Sequence, residues 1–174
     1  MVHNNIVSKV KTYKREHQIN SIVLSSTKST IISLHAIRNG DAGLNSHRQS
    51  LLNRVLNRVL NRGEWAYFKR GSIEMKDFAY LTAKTGDEFA LLRGKKADIL
   101  FHGDSKRCKF DDRLGNQLIT HKLSLIGYSH PGEPIPRPSN EDRQALKKIG
   151  QSKSAIISAM TGICLEFSEH SFEI

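Results

Sequence analysis

The sequence has little cysteine and no long apolar run, and both features narrow what the chain can be. Its two cysteines, Cys108 and Cys164, stand far apart in 174 residues and belong to neither a CxxC pair nor a Cys/His ligand pair. We interpret them as free thiols in a reducing compartment. No run approaches the roughly 20 apolar residues that cross a bilayer. The basic segment 1–18 lacks the apolar stretch of a secretory signal, so we expect a cytoplasmic protein, or one that a specialised secretion system delivers into a target cell.

Acidic residues are also few, since 17 Asp and Glu face 27 Lys and Arg, which gives a net charge of +10. Such a surplus favours acidic partners, which include an acidic protein surface, nucleic acid or an anionic membrane. Apolar residues make up 38% and charged residues 25% of the chain, as in an ordinary globular domain. The charge therefore informs on partners and leaves the chemistry open.

The first seventy residues are expected to form a basic extension of helices and strands. Residues 1–18 have the spacing of a short amphipathic helix, and residues 21–37 are rich in β-branched side chains, which favours one or two strands. A turn is predicted at residues 39–41. We expect residues 71–174 to carry the main domain, in one compact unit with the extension.

An internal repeat with a period of four, LNRVLNRVLNR, spans residues 52–62. It predicts an amphipathic helix with an apolar stripe, a basic stripe of Arg54, Arg58 and Arg62, and Gly63 after its C-terminus. The arginines could bind phosphates or an acidic partner. The absence of interleaved aromatic residues favours the alternative, a solvated polar face.

The rest of the chain alternates between helical and strand patterns. A helix is predicted at 72–84, with Ser72 at its N-cap and Gly86 closing it. Further predicted elements are a β-hairpin over 88–103, a strand over 121–130, a helix over 140–149 begun by Ser139, and two final strands joined at residues 161–162. This order predicts a mixed α/β (α+β) domain with a mostly antiparallel sheet flanked by helices.

The segment YSHPGEPIPRPSNED, residues 128–142, contains all four prolines of the chain. A strand that ends at His130 and a helix that begins at Ser139 would hold His130 and Asp142 in a rigid frame, as a metal site requires. Imidazole nitrogen and carboxylate oxygen suit Zn²⁺. Glu88 could then move the proton of a water molecule, and Ser139 could donate to an oxyanion.

A purely structural alternative explains two of these residues. Ser139 and Asp142 stand at the N-cap and N3 positions of a capping box, in which each side chain bonds the backbone of the other. His130 and Glu88 could likewise be ordinary strand residues. The sequence leaves both interpretations open.

The combination of TGDEFALL and YSHPGEPIPRPSNEDRQAL resembles the JAMM/MPN family of zinc metalloproteases. That family places a Glu on an early strand, followed by His-x-His-Pro, a loop and Ser-x-x-Asp. The resemblance covers roughly residues 73–168. It implies an MPN-like sheet, a bound Zn²⁺ and cleavage of peptide or isopeptide bonds, often in ubiquitin-like conjugates; some members are bacterial toxin domains.

Carried over by position, the resemblance implies a role for each motif residue. Glu88 would be the general base, His130 and Asp142 would be metal ligands, and Ser139 would stabilise the oxyanion. Tyr128 stands where the family has its first histidine, and a neutral phenol is a poorer zinc ligand than imidazole. If Tyr128 does not complete the site, His102 is the best candidate to do so, because the hairpin places it beside Glu88; the alternative, which the sequence favours, is an ordinary strand histidine.

His121, at the start of the strand that leads to His130, is the second substitute. Two other functions are compatible with the sequence. A catalytically inactive JAMM-like scaffold would bind a protein partner and no metal. ILFHGD, at 99–104, is similar over four residues to the histidine motif of ADP-ribosyltransferases, which with the positive charge would suit a nucleic-acid-directed or NAD-dependent toxin.

Overall fold

The computed structural model describes residues 44–170, which form four helices and one six-stranded sheet. The helices and strands follow one another as α1 (Ser46–Leu56), β1 (Trp65–Lys69), α2 (Met75–Thr85), β2 (Phe89–Arg93), β3 (Ala97–His102), α3 (Asp112–Ile119), β4 (Ser124–His130), α4 (Asn140–Ile149), β5 (Lys153–Ser158) and β6 (Cys164–Ser168). The predicted helix at 1–18, the strands at 21–37 and the turn at 39–41 lie outside the described residues.

The sheet has the order β1-β3-β2-β4-β5-β6. Every neighbouring pair is antiparallel except β4 and β5, which are parallel and joined through α4. The mixed α/β (α+β) class with a mostly antiparallel sheet is therefore confirmed. Because β2 lies between β3 and β4, the start of β2 and the ends of β3 and β4 share one edge of the sheet.

Two apolar clusters cover the two faces of the sheet. Helices α1 and α2 pack Leu52 and Phe78 against one face, together with Phe89 of β2. Helices α3 and α4 pack Leu114 and Leu146 against the other face. Strand side chains alternate between faces, so neighbouring residues of β2 enter different clusters. Residues 44–70 thus share one sheet and core with the rest of the described chain.

The repeat at 52–62 gives a shorter helix than its pattern predicts. Helix α1 starts at Ser46, with the Asn45 side chain accepting from Arg48 N at 2.9 Å, and it ends at Leu56. Gly63 has a φ of +86° but follows a turn rather than a helix, and its N–H donates to His102 O at 2.7 Å. The predicted helix over the whole repeat, capped by Gly63, is therefore wrong in its second half.

Consequently the three arginines of the repeat do not form one helical stripe. Arg54 is exposed in α1, whereas Arg58 lies in the following turn, donates to Tyr67 O at 2.7 Å and stacks over the ring of Phe68. Arg62 forms a paired contact with Asp87, with donor distances of 2.8 and 3.0 Å. Intramolecular partners thus engage Arg58 and Arg62, two of the three arginines that were candidates for binding a partner.

Helix α2 begins later than predicted, and it closes where predicted. Glu74, not Ser72, is its N-cap and forms a capping box with Asp77, while Gly86 closes the helix at a φ of +75°. Capping by Asp77 is reinforced by Arg48, which pairs with its carboxylate. The hairpin of β2 and β3, the strand at β4, the helix α4 and the final hairpin agree with the predicted elements within a few residues.

A candidate active site at the shared edge of β2 and β4

Glu88 lies immediately before β2, and its carboxyl group is almost entirely buried. Its backbone is held by two hydrogen bonds to the segment after β3, from Glu88 N to Asp104 O at 2.9 Å and from Gly103 N to Glu88 O at 2.8 Å. Gly103 allows the segment 103–108 to fold back on itself beside Glu88, because a Cβ there would lie 2.6 Å from Arg107 O. These two hydrogen bonds therefore fix the backbone of Glu88, from which its side chain enters the site.

His130 ends β4 and faces the Glu88 carboxyl group. Its Nε2 lies 3.5 Å from Glu88 Oε1, and the backbone of His130 is held by parallel pairing with Ser158 of β5. Tyr128 and His130 lie on the same face, with ring centroids 5.6 Å apart, as the alternation along the strand predicts. The predicted placement of these two rings on one face of the strand is therefore confirmed.

Burial dominates the electrostatics of Glu88. Burial, followed by the carboxylates of Asp142, Asp104 and Glu133 in that order, raises the pKa of Glu88 to about 8. Four carboxyl groups thus lie near one another at this edge of the sheet, and two of them, Glu88 and Glu133, lie 3.5 Å from the imidazole of His130. Their mutual repulsion costs free energy that a bound cation or a retained proton would relieve.

Tyr128 is an unsatisfied residue at the same place. Its side chain is buried, and its hydroxyl faces the carboxylate of Asp142 but makes no hydrogen bond of regular geometry among the residues that the structure describes. Burial and the nearby carboxylate of Asp142 raise the pKa of Tyr128 far above its ordinary value, so the phenol is neutral in the metal-free chain. A buried hydroxyl without a hydrogen-bond partner is costly unless a water molecule or a ligand binds it.

Asp142 and Ser139 form the predicted capping box at the start of α4. Asp142 Oδ2 accepts from Ser139 N at 2.7 Å and from Ser139 Oγ at 2.8 Å, while Asp142 N donates to Ser139 Oγ at 3.1 Å. One carboxylate oxygen is therefore already engaged, and the Ser139 hydroxyl is held by its own helix. The other oxygen of Asp142 is the one that remains for a ligand.

His102 does not take part in this arrangement. It pairs with Phe89 in the β2–β3 register, one residue from Glu88 as predicted, but its ring stacks on Phe89 and therefore lies on the opposite face. Its Nδ1 lies 2.7 Å from Val59 O and its Nε2 lies 3.1 Å from Asp87 Oδ2. With both nitrogens engaged inside the core, His102 cannot serve as the substitute ligand or as an exposed residue of an ADP-ribosyltransferase motif.

His121 is likewise remote from the site. It precedes β4 with a φ of +56°, close to Gly150, whereas His130 is at the other end of that strand. Strand β4 has seven residues, so its two ends lie roughly 20 Å apart. His121 is therefore excluded as the second substitute.

Sequence reasoning missed three groups near Glu88. Asp104 and Glu133 both act on the pKa of Glu88, and Glu133 Oε2 lies 3.5 Å from Nδ1 of His130. The Cys108 side chain packs against the apolar cluster that contains Leu114 and Leu146, and burial and the charge of Glu88 raise the pKa of its thiol. The only sequence signal for Glu133 was its position three residues after His130.

The donor set at this edge is smaller than that of an ordinary zinc site. Within residues 44–170, no three His, Cys, Asp or Glu side chains are arranged to hold one metal ion. Of the motif positions, only His130 and Asp142 carry side chains of the usual zinc-ligand types, and Tyr128 adds a neutral phenol, which is a poor zinc ligand. The described side chains alone therefore do not complete a zinc site.

Comparison with known proteins gave no further assignment. No family model matches the chain, and neither a curated protein nor a solved structure matches it. None of the helices described in residues 44–170 is long and apolar enough to cross a membrane.

Proposed function

We propose that the chain is a JAMM-like, zinc-dependent hydrolase of peptide or isopeptide bonds. The observation that carries the proposal is the contact between Glu88 and His130, 3.5 Å apart, beside the unpaired hydroxyl of Tyr128. A carboxyl that is buried with so little compensation is characteristic of a functional site. The order of these residues along the chain is also that of the family motif.

His130, Asp142 and Tyr128 would hold the metal. A bound divalent cation acts as a Lewis acid toward the scissile carbonyl and lowers the pKa of water. Glu88 holds and moves the proton: its carboxylate accepts a proton from the attacking water and returns it to the leaving amine.

The proposed substrate is a protein or peptide with an acidic surface, such as a ubiquitin-like conjugate. The net charge of +10 favours encounter with such a partner and would also attract nucleic acid. We place the reaction in the cytoplasm, either of the producing cell or of a cell into which the chain is delivered.

The direct test is the zinc content of the full chain after supply of zinc at neutral pH. We expect about one zinc per wild-type chain, strong loss in His130→Ala, weakened binding in Tyr128→Phe, and no change in the exposed control His47→Ala. Glu88→Gln should retain zinc and lose hydrolysis of an isopeptide-linked ubiquitin-like conjugate. A wild-type chain without zinc contradicts the proposal.

A second function, an inactive JAMM-like scaffold that binds a protein, is favoured by one observation. One oxygen of Asp142 is already bonded to both donors of Ser139, which weakens it as a ligand. The scaffold requires a metal-free wild type whose partner binding survives Glu88→Gln. Zinc bound through His130 would exclude it.

A further inference from the structure

Two aromatic rings and a guanidinium group lie at the β1 edge of the sheet. Among the described strands β1 pairs only with β3, and its alternate residues Trp65, Tyr67 and Lys69 share one face. The rings of Trp65 and Tyr67 meet edge to face, with centroids 5.5 Å apart, and Arg113 of α3 lies over the Trp65 ring at 5.1 Å. Trp65 packs against the apolar cluster of α3 and α4, whereas Tyr67 is 47% exposed. Tyr67 therefore offers a flat ring that the described core does not cover.

Four exposed cations follow the ring at the end of β1 that meets the β2–β3 turn. They are Lys69, Arg70, Lys95 and Lys96. The register brings the turn beside β1, because Lys69 pairs with Ala97 and Gly94 N donates to Ala97 O at 2.9 Å. Asp98, at the same end, is buried and bonded to Arg93 at 2.9 and 3.0 Å, so its charge offsets that of Arg93. The charge of the four exposed cations is therefore not offset by Asp98.

The opposite end of β1 carries negative charge. Asp111 accepts from Trp65 Nε1 at 3.2 Å, and Glu64 accepts from Asn61 N at 2.9 Å. The sign of the charge thus changes along β1, and Tyr67 lies between the acidic end and the basic end. A polyanion is attracted to the basic end. A group that stacks on Tyr67 would lie about 7 Å from the first cation, which is the span of two residues in a strand.

We propose that this edge binds single-stranded nucleic acid, with a base stacked on Tyr67 and the neighbouring phosphates at the four exposed cations. Aromatic rings beside basic side chains form such sites, and the stacking tolerates any sequence because every base has a π-face. A duplex keeps its bases inside the stack and would meet the charges alone. The net charge of +10 favours the encounter. This binding goes beyond the proposed hydrolysis and rests on neither that reaction nor a metal.

The fluorescence of Trp65, the only tryptophan of the chain, reports on a base that stacks beside it. Oligothymidylate and oligouridylate of about 12 nucleotides serve as DNA and RNA probes of the full chain, and heparin serves as a polyanion without bases. We expect at least one oligonucleotide to quench the fluorescence with saturation, and the two affinities show which nucleic acid is preferred. Heparin should compete for the site without quenching. No quenching by either oligonucleotide, or equal quenching by heparin, overturns the proposal.

Variants at exposed positions separate stacking from charge, with anisotropy of a labelled oligonucleotide as the measurement and circular dichroism as the check of folding. Tyr67→Ala should lower the affinity roughly 5- to 150-fold, whereas Tyr67→Phe keeps a ring and most of the affinity.

The double variant Lys95→Ala/Lys96→Ala should reduce the slope of log affinity against log salt by about 1.4, since each phosphate contact on a single strand contributes about 0.7. The matched control Lys76→Ala/Lys84→Ala removes the same charge from exposed positions in α2, on the other face of the sheet, and should keep the wild-type slope. Wild-type affinity in Tyr67→Ala, or the same slope in the two double variants, would contradict the proposed site.

Discussion

At the scale of single residues, the cost of Glu88 depends on pH. The group has an ordinary pKa of 4.5, which the unfolded chain retains, and burial raises it to about 8 in the folded protein. Between these values the folded chain keeps a proton that the unfolded chain has lost, so stability falls as the pH rises. The cost is complete above the folded pKa and absent below the unfolded one.

We therefore expect Glu88→Gln to stabilise the metal-free protein at high pH and to have little effect at low pH. The gain should grow between pH 4.5 and about 8 and reach roughly 2–4 kcal/mol. Urea unfolding at several pH values, followed by circular dichroism, measures it. The exposed control Glu141→Gln should show no such rise, and a constant difference between wild type and Glu88→Gln would refute the assignment.

At the scale of elements, substitutions of Ser139 test whether its hydroxyl stabilises α4 as a helix cap. Ser139→Ala removes the hydroxyl that caps Asp142 N, and we expect it to lower the free energy of unfolding by about 1 kcal/mol. Ser139→Thr keeps a capping oxygen and should retain most of the stability. Thermal unfolding of the two variants decides the matter: an equal loss in both would mean that the hydroxyl does not act as a cap.

Three local patterns were predicted correctly. The capping box at Ser139, the hairpin around residues 94–96 and the shared face of Tyr128 and His130 follow from local spacing, and all three are present. The repeat at 52–62 failed because tertiary contacts override helix propensity. Arg58 donates to Tyr67 O in β1, and Arg62 pairs with Asp87 just before β2. The repeat itself gives no sign of either contact.

At the scale of the whole described fold, strand order decides which acids meet. Glu88, Asp104 and Glu133 are far apart in sequence, and they gather because β2 lies between β3 and β4. Local spacing contains no information on that order. His102 pairs with Phe89, the residue after Glu88, and its ring stacks on Phe89. The backbones of His102 and Glu88 are therefore close, but their side chains lie on opposite faces of the sheet.

The separation of the two faces predicts that stability and metal binding respond to different histidines. His102→Ala removes a buried ring that stacks on Phe89 and bonds Val59 O and Asp87, so we expect it to cost about 2–3 kcal/mol. Its zinc affinity, measured where the variant is fully folded, should equal that of the wild type, because the ring lies on the opposite face from His130.

His130→Ala is the matched counterpart, because this ring is partly exposed and its neighbours are carboxyl groups rather than a packed core. We expect its free energy of unfolding to change by less than about 1 kcal/mol while zinc binding is lost. Urea unfolding and zinc titration of both variants give a crossed pattern. If folded His102→Ala lost zinc binding, the wild-type His102 ring would have to reach the site around the edge of β2, although two hydrogen bonds hold it in the core.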